Sequence, residues 1–291
     1  MGPRLRHALL ATATACMLLA AVTAGSMERR RIVTLAPSLT EAVFALGAGD
    51  RVVGVGDYAT WPPEVSSLPR VGGLMNPNVE RLLGLHPDLV LIPSPIPRLE
   101  AACAGAGIPV FRVPMEDLHQ VRDGLLRLAA LLGREERGRE LVAELDRGLD
   151  RVRAATAGLP RPTVLLVVDR PETGALQQVV VAGPGTFLDE LLGIAGGHNA
   201  FPDAARRYFT PSLEEVLRRR PDVILELRAG APDPGTLELR ARRAWAELFG
   251  TGRTPTVRVL TTQAVVVPGP RLVEGAAALA RALHPGLELA P

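Results

Sequence analysis

The chain has 291 residues, 47% of them hydrophobic and 22% charged, which is enough to bury a sizeable core in one or two domains. That balance excludes a disordered or fibrous protein. Its 33 basic residues, all arginine, face 31 acidic ones for a formal net charge of +2, which gives no support to nucleic-acid binding. Arg4 and Arg6 precede an uncharged apolar run, residues 8–24, that ends on the small residues Val22, Thr23 and Ala24. This is the layout of a secretory signal, cleaved after residue 24, with an uncleaved anchor as the competing reading. Those two arginines are the segment's charges, so its removal leaves 31 basic against 31 acidic residues. Of the two cysteines, Cys16 falls in the signal. Cys103 stays alone in an Ala-rich helical segment, cannot form an internal disulfide, and reads as a buried structural thiol.

After the signal, strand and helix patterns alternate, as in α/β folds with parallel sheets. Residues 31–35 read as a strand. Ser38 and Glu41 suggest a capping box opening a helix that stops at Gly47. Residues 51–55 form a second strand pattern, 78–85 a short helix, and 88–92 an apolar strand of the buried parallel kind. A helix near 98–106 and a strand at 109–113 complete the first lobe. From 118 to 157 apolar residues recur at helical spacing, broken at Gly133. The later part, rich in Arg, Glu and Asp, reads as a stiff charged helix joining two lobes. The second half repeats the plan: strands at 163–168, 222–227 and 256–260, with helices at 186–192, 212–219, 240–249 and 270–283.

The most informative feature is an internal echo. Residues 77–91 read PNVERLLGLHPDLVL and residues 211–225 read PSLEEVLRRRPDVIL. Pro77, Glu80, Leu83, Pro87 and Asp88 coincide with Pro211, Glu214, Leu217, Pro221 and Asp222. Each copy is a short helix that ends before a proline and feeds a buried strand. Recurrence at this distance points to two lobes of one architecture rather than to a short-period solenoid.

The segment RIVTLAPSLTEAVFALGAGDRVVGVGDYATWPPEVSSLPRVGGLMNPNVERLLGLHPDLVLI resembles the N-terminal lobe of class III periplasmic substrate-binding proteins of ABC importers, most of all the cobalamin-binding type. The likeness continues through VVVAGPGTFLDELLGIAGGHNAF and SLEEVL to PGPRLVEGAAAL. It implies an α/β fold of two Rossmann-like lobes with central parallel sheets, bridged by a single long helix. The expected division is a signal at 1–24, an N-terminal lobe at 30–134, a linking helix at 135–158 and a C-terminal lobe at 159–291.

The resemblance also implies a periplasmic receptor, a monomer, that takes cobalamin or another metal chelate as transported ligand in the cleft between its lobes. Tyr58, Leu74, Tyr208 and Gln263 match cleft positions, and an aromatic face suits a flat macrocycle. Leu74, Pro93, Val180 and Gln263 depart from the cobalamin pattern, however, so haem and ferric siderophores stay open as cargo. A haem receptor would use Tyr58 or Tyr208 as axial ligand, and a siderophore receptor would use arginines such as Arg206, Arg207 and Arg271. Glu80 and Glu214 sit in the first turns of the echoed helices, where a carboxylate favours the helix dipole. The resemblance adds a docking role on the ABC permease, with its ATPase, one glutamate per lobe.

No catalytic or metal-ligating residue is expected. His86, His119, His198 and His284 are scattered without ligand spacing, and no G-x-S-x-G nucleophile motif occurs. Gly54, Gly56 and Ala59 fit a dinucleotide fingerprint, but Pro62 and Pro63 forbid the helix it must open. Gly183 to Thr186 read as a turn and cap, and Trp245 as core packing. An enzyme on the same scaffold and a non-transport ectodomain are the competing classes. The first lacks a nucleophile or phosphate loop, and the second would need no ligand-sized cleft.

Overall fold

The computed structural model describes residues 31–171, 176–250, 252 and 254–289; the signal expected at 1–24 lies outside them. The chain divides into two compact units, one of residues up to 114 together with 125–139, the other of 115–124 and 140 onward.

In the first unit four short strands, β1 (Ile32–Thr34), β2 (Val52–Val55), β3 (Leu89–Ile92) and β4 (Val110–Arg112), form a parallel sheet in the order β2-β1-β3-β4. β1 and β3 are buried along their whole length, which is why they read as unbroken apolar runs. Three helices alternate with these strands: α1 (Pro37–Ala45), α2 (Val79–Gly84) and α3 (Pro97–Gly105). Val33, Val90, Ile92, Leu82, Leu99 and Cys103 share one core cluster. Cys103 is the buried thiol its sequence context suggested, and burial, aided by the charge of Glu100, pushes it up from the ordinary thiol range.

The capping box expected at Ser38 does not form. Pro37 takes the first helical position, Ala36 is the N-cap without a side-chain bond, and Ser38 and Glu41 are buried inside the helix. Proline lacks the N–H that a cap would satisfy and its φ is already helical, so the helix starts a residue earlier. Thr40 instead ties the turn to the sheet, donating to Ala36 O at 3.1 Å and meeting Thr34 Oγ1 at 2.7 Å.

The chain then runs through α4 (Leu118–Leu132) and the charged helix α5 (Glu135–Thr156). Gly133, at φ 66°, makes the left-handed step between them. The helix α5 begins in the first unit and continues into the second.

The second unit holds a mixed sheet of β5 (Thr163–Asp169), β6 (Val180–Ala182), β7 (His198–Asn199), β8 (Tyr208–Phe209), β9 (Val223–Leu227) and β10 (Thr256–Leu260), in the order β10-β9-β5-β6-β8 with β7 beside β5. Strands β5, β9 and β10 are parallel, and β7 joins β5 in parallel. The edge of β6 and β8 is antiparallel. These strands of two or three residues escape a sequence reading because they are too short to show a period. Around the sheet run α6 (Phe187–Ile194), α7 (Leu213–Arg219), α8 (Pro234–Phe249) and α9 (Leu272–Leu283). Thr186 caps α6 as its turn suggested, accepting from Asp189 N at 3.1 Å. Helix α8 starts at Pro234, ahead of the expected 240, because Asp233 caps it through Thr236 N at 3.0 Å.

The internal echo is a structural equivalence. Asn78 and Ser212 cap α2 and α7, the latter in a full capping box with Glu215. His86 and Arg220, one residue before the echoed prolines, share the same left-handed φ of 48°. Asp88 then exchanges two bonds with Arg31, from its N to Arg31 O and from Arg31 N to its Oδ2, both at 2.8 Å. Asp222 repeats this with Thr163, at 2.8 and 2.9 Å. Each aspartate pins the start of one central strand to the start of its neighbour.

Candidate functional site

In the first unit the chain leaves the carboxyl end of β2 through Gly56, Asp57, Tyr58 and Ala59, where ligands collect on open α/β sheets. Gly56 passes so close to β1 that a Cβ there would meet Leu35 O at 2.4 Å. Asp57 laces this loop to the next: its N donates to Gly72 O, and its Oδ1 accepts from Gly72 N, both at 3.1 Å. Arg70 clamps it from beneath, donating to Gly56 O at 3.1 Å, to Ala59 O, and to Val65 O at 3.3 Å. On this fixed loop Tyr58 is 73% exposed, its ring running alongside Gly73. An exposed aromatic side chain on a backbone already held in place is suited to a flat apolar partner, because the loop has little entropy left to lose on binding.

Leu74 is half-buried against the core, whereas its neighbour Met75 is 93% exposed and Trp61 44%. Sequence reading missed Met75, Arg70 and Asp57. Nothing in local periodicity marks them, since their role depends on two loops meeting. Gly56→Ala is expected to cost about 1–3 kcal/mol of stability, since backbone cannot yield as a flexible side chain can. Urea denaturation checks this, and an unchanged midpoint would show that the loop has slack.

In the second unit Tyr208 lies in β8 and is 42% exposed. Burial first, and the charge of Glu116 second, push its phenol up to about 12, with Arg207 opposing. Arg207 pairs with Glu116 and lies 3.4 Å from Asp117. Arg271 lies 3.6 Å from Glu274, while Arg206 is exposed. Gln263 is half-buried in the turn that follows β10. Glu80 and Glu214 are both exposed in the first turns of α2 and α7, at equivalent places in the two units. Among the described residues no three His, Cys, Asp or Glu side chains gather into a metal-holding group, and no helix is long and apolar enough to cross a membrane.

This chain belongs to the periplasmic binding protein family, which it matches over residues 32–263. It is thus a substrate-binding protein of the ABC importer type and not an enzyme. It is 28% identical over 223 residues to the vitamin B12-binding protein of Yersinia pestis (strain Pestoides F), covering 74% of this chain and 76% of that one. A periplasmic haem-binding protein of Pseudomonas aeruginosa matches in structure with TM-score 0.76 and 27% identity, over 90% of this chain and 95% of that one. The periplasmic vitamin B12-binding protein of Vibrio cholerae shares the fold at TM-score 0.71 and 23% identity, over 88% of this chain and 97% of that one. The two α/β units agree with this class.

Proposed function

We propose that the protein captures a corrinoid, cobalamin in the first place, in the periplasm and delivers it to an ABC permease. The observation that carries this is Tyr58, a 73% exposed ring on a loop clamped by Arg70 and Asp57, inside the stretch that resembles cobalamin receptors. The similarity to the Yersinia pestis protein supports the same cargo. Tyr58, Leu74 and Met75 of the first unit are assigned to contact it, as are Tyr208 and Gln263 of the second. In this reading export runs through residues 1–24, and the receptor works as a monomer.

Haem is the second reading, favoured by the phenolic oxygen of Tyr58 and by the Pseudomonas aeruginosa protein. Titration of the purified secreted protein with cyanocobalamin, haemin and a ferric siderophore, followed by absorbance and calorimetry, separates them. Tight one-to-one binding of cobalamin alone is expected. Binding of haemin alone would replace the cargo and keep the class.

Glu80 and Glu214 are assigned to the permease. Exposed acids contribute little to folding but register a complex through paired charges. Replacing both with alanine is expected to leave corrinoid affinity within about twofold, since neither lies on the loops above, and to weaken binding to the reconstituted permease by about tenfold or more. Loss of corrinoid affinity in that variant would misplace both residues.

A further inference from the structure

The carboxyl ends of β5, β9 and β10 bring a cationic group together in the second unit. Arg170 follows β5 and is 6% exposed, while Glu226, within β9, is 1% exposed. Arg170 Nε lies 2.9 Å from Glu226 Oε1, and its Nη2 donates to Oε2 at 3.1 Å. Trp245, fully buried, donates its Nε1 to Glu226 Oε1 at 2.7 Å. Arg228, directly after β9, donates Nη1 to Arg170 O at 2.6 Å and holds Nη2 3.5 Å from Glu226 Oε2. Among the described residues Glu226 is the one carboxylate within ion-pair reach of either guanidinium, so among them two positive charges share one negative.

That excess charge is not dispersed into water, because Arg228 exposes only 16% of its side chain. A largely desolvated cation without a full counter-charge is costly, and the cost falls when an anion completes the shell. Arg228 commits few of its five donors, and its planar fork matches the oxygens of a phosphate or carboxylate. The location agrees, since ligands of open α/β sheets gather outside the carboxyl ends of parallel strands. Arg228 N donates to Leu260 O at 2.8 Å and Gly230 N to Thr261 O at 2.9 Å, tying this loop to the one that carries Gln263. A side chain at Gly230 would meet Gln263 Nε2 at 3.6 Å. By contrast Arg207 already faces two carboxylates.

We propose that Arg228 anchors an acidic group of the cargo, the phosphodiester of a corrinoid, with Glu226 and Arg170 as positioning residues and Gln263 as a neutral neighbour. This rests on the corrinoid reading above. The test titrates the secreted protein and its Arg228→Gln variant with cyanocobalamin and with dicyanocobinamide, a corrinoid that lacks the phosphodiester. Arg228→Gln is expected to weaken cobalamin about tenfold or more, as for loss of a charge-assisted bond, and to leave cobinamide within about twofold. Arg228→Lys, which keeps the charge and loses the fork, is expected to fall between. No change for cobalamin, or equal loss for both corrinoids, would reduce Arg228 to a structural role and overturn the anchor. If the unaltered protein binds neither corrinoid, the cargo reading falls and the anchor with it. Cobalamin binding that ignores Arg228 removes the anchor alone.

Discussion

Tyr58→Ala is expected to weaken cobalamin binding by about 30-fold or more while leaving the unfolding midpoint almost unchanged. Aromatic residues at the centre of a contact are the side chains whose truncation costs about 2 kcal/mol or more, which is that factor in affinity. The folded protein, however, leaves 73% of Tyr58 in water, so there is little packing to lose. Surface substitutions of that kind stay within about 0.5 kcal/mol. Calorimetric titration beside a urea melt reads both quantities. Unaltered affinity would remove Tyr58 from the site. Tyr58→Phe then distinguishes the cargoes: a corrinoid wall keeps most of its affinity because the ring face remains, whereas an axial ligand to haem iron loses its oxygen.

The largest expected effect on stability lies elsewhere, at Glu226. Glu226→Ala strands Arg170 and Arg228, 94% and 84% removed from solvent, without their carboxylate and leaves the Trp245 N–H unpaired. Breaking a buried pair from one side costs about 3–5 kcal/mol, because the remaining charge stays desolvated. The exposed pair of Arg153 and Asp150, with side chains 56% and 69% exposed, should by comparison be worth under about 1 kcal/mol. Urea denaturation of the two single variants, Glu226→Ala and Asp150→Ala, should therefore separate widely. A shift below about 1 kcal/mol for Glu226→Ala would mean that the guanidinium groups regain water when the acid is removed.

Much of this arrangement is legible from sequence where physics is local. Buried parallel strands must be apolar on both faces, so Leu89 to Ile92 announce themselves. The echoed Pro, Glu, Leu, Pro and Asp mark two copies of one unit, and the structure gives that echo a mechanism in the paired left-handed residues His86 and Arg220 and in the clips made by Asp88 and Asp222. Locality also misleads. Ser38 and Glu41 carry the spacing of a cap, yet Pro37 starts the helix and buries both. The edge strands β6 and β8 have too few residues to show a period, and their pairing is set by partners far along the chain.

By itself, then, the sequence determined the α/β class and the repeat of one unit, because each rests on periodicity or on residues adjacent in the chain, whereas Tyr58 was marked only by the family resemblance. Which side chains become one site was decided only by tertiary structure. Arg70 grips a loop formed by residues 56–59, and Trp245 reaches Glu226 across 19 positions. Arg170 and Arg228 meet over a span of 58. Those contacts exist because strand order places the ends of β5 and β9 side by side, and no pattern along the chain encodes which strand ends become neighbours.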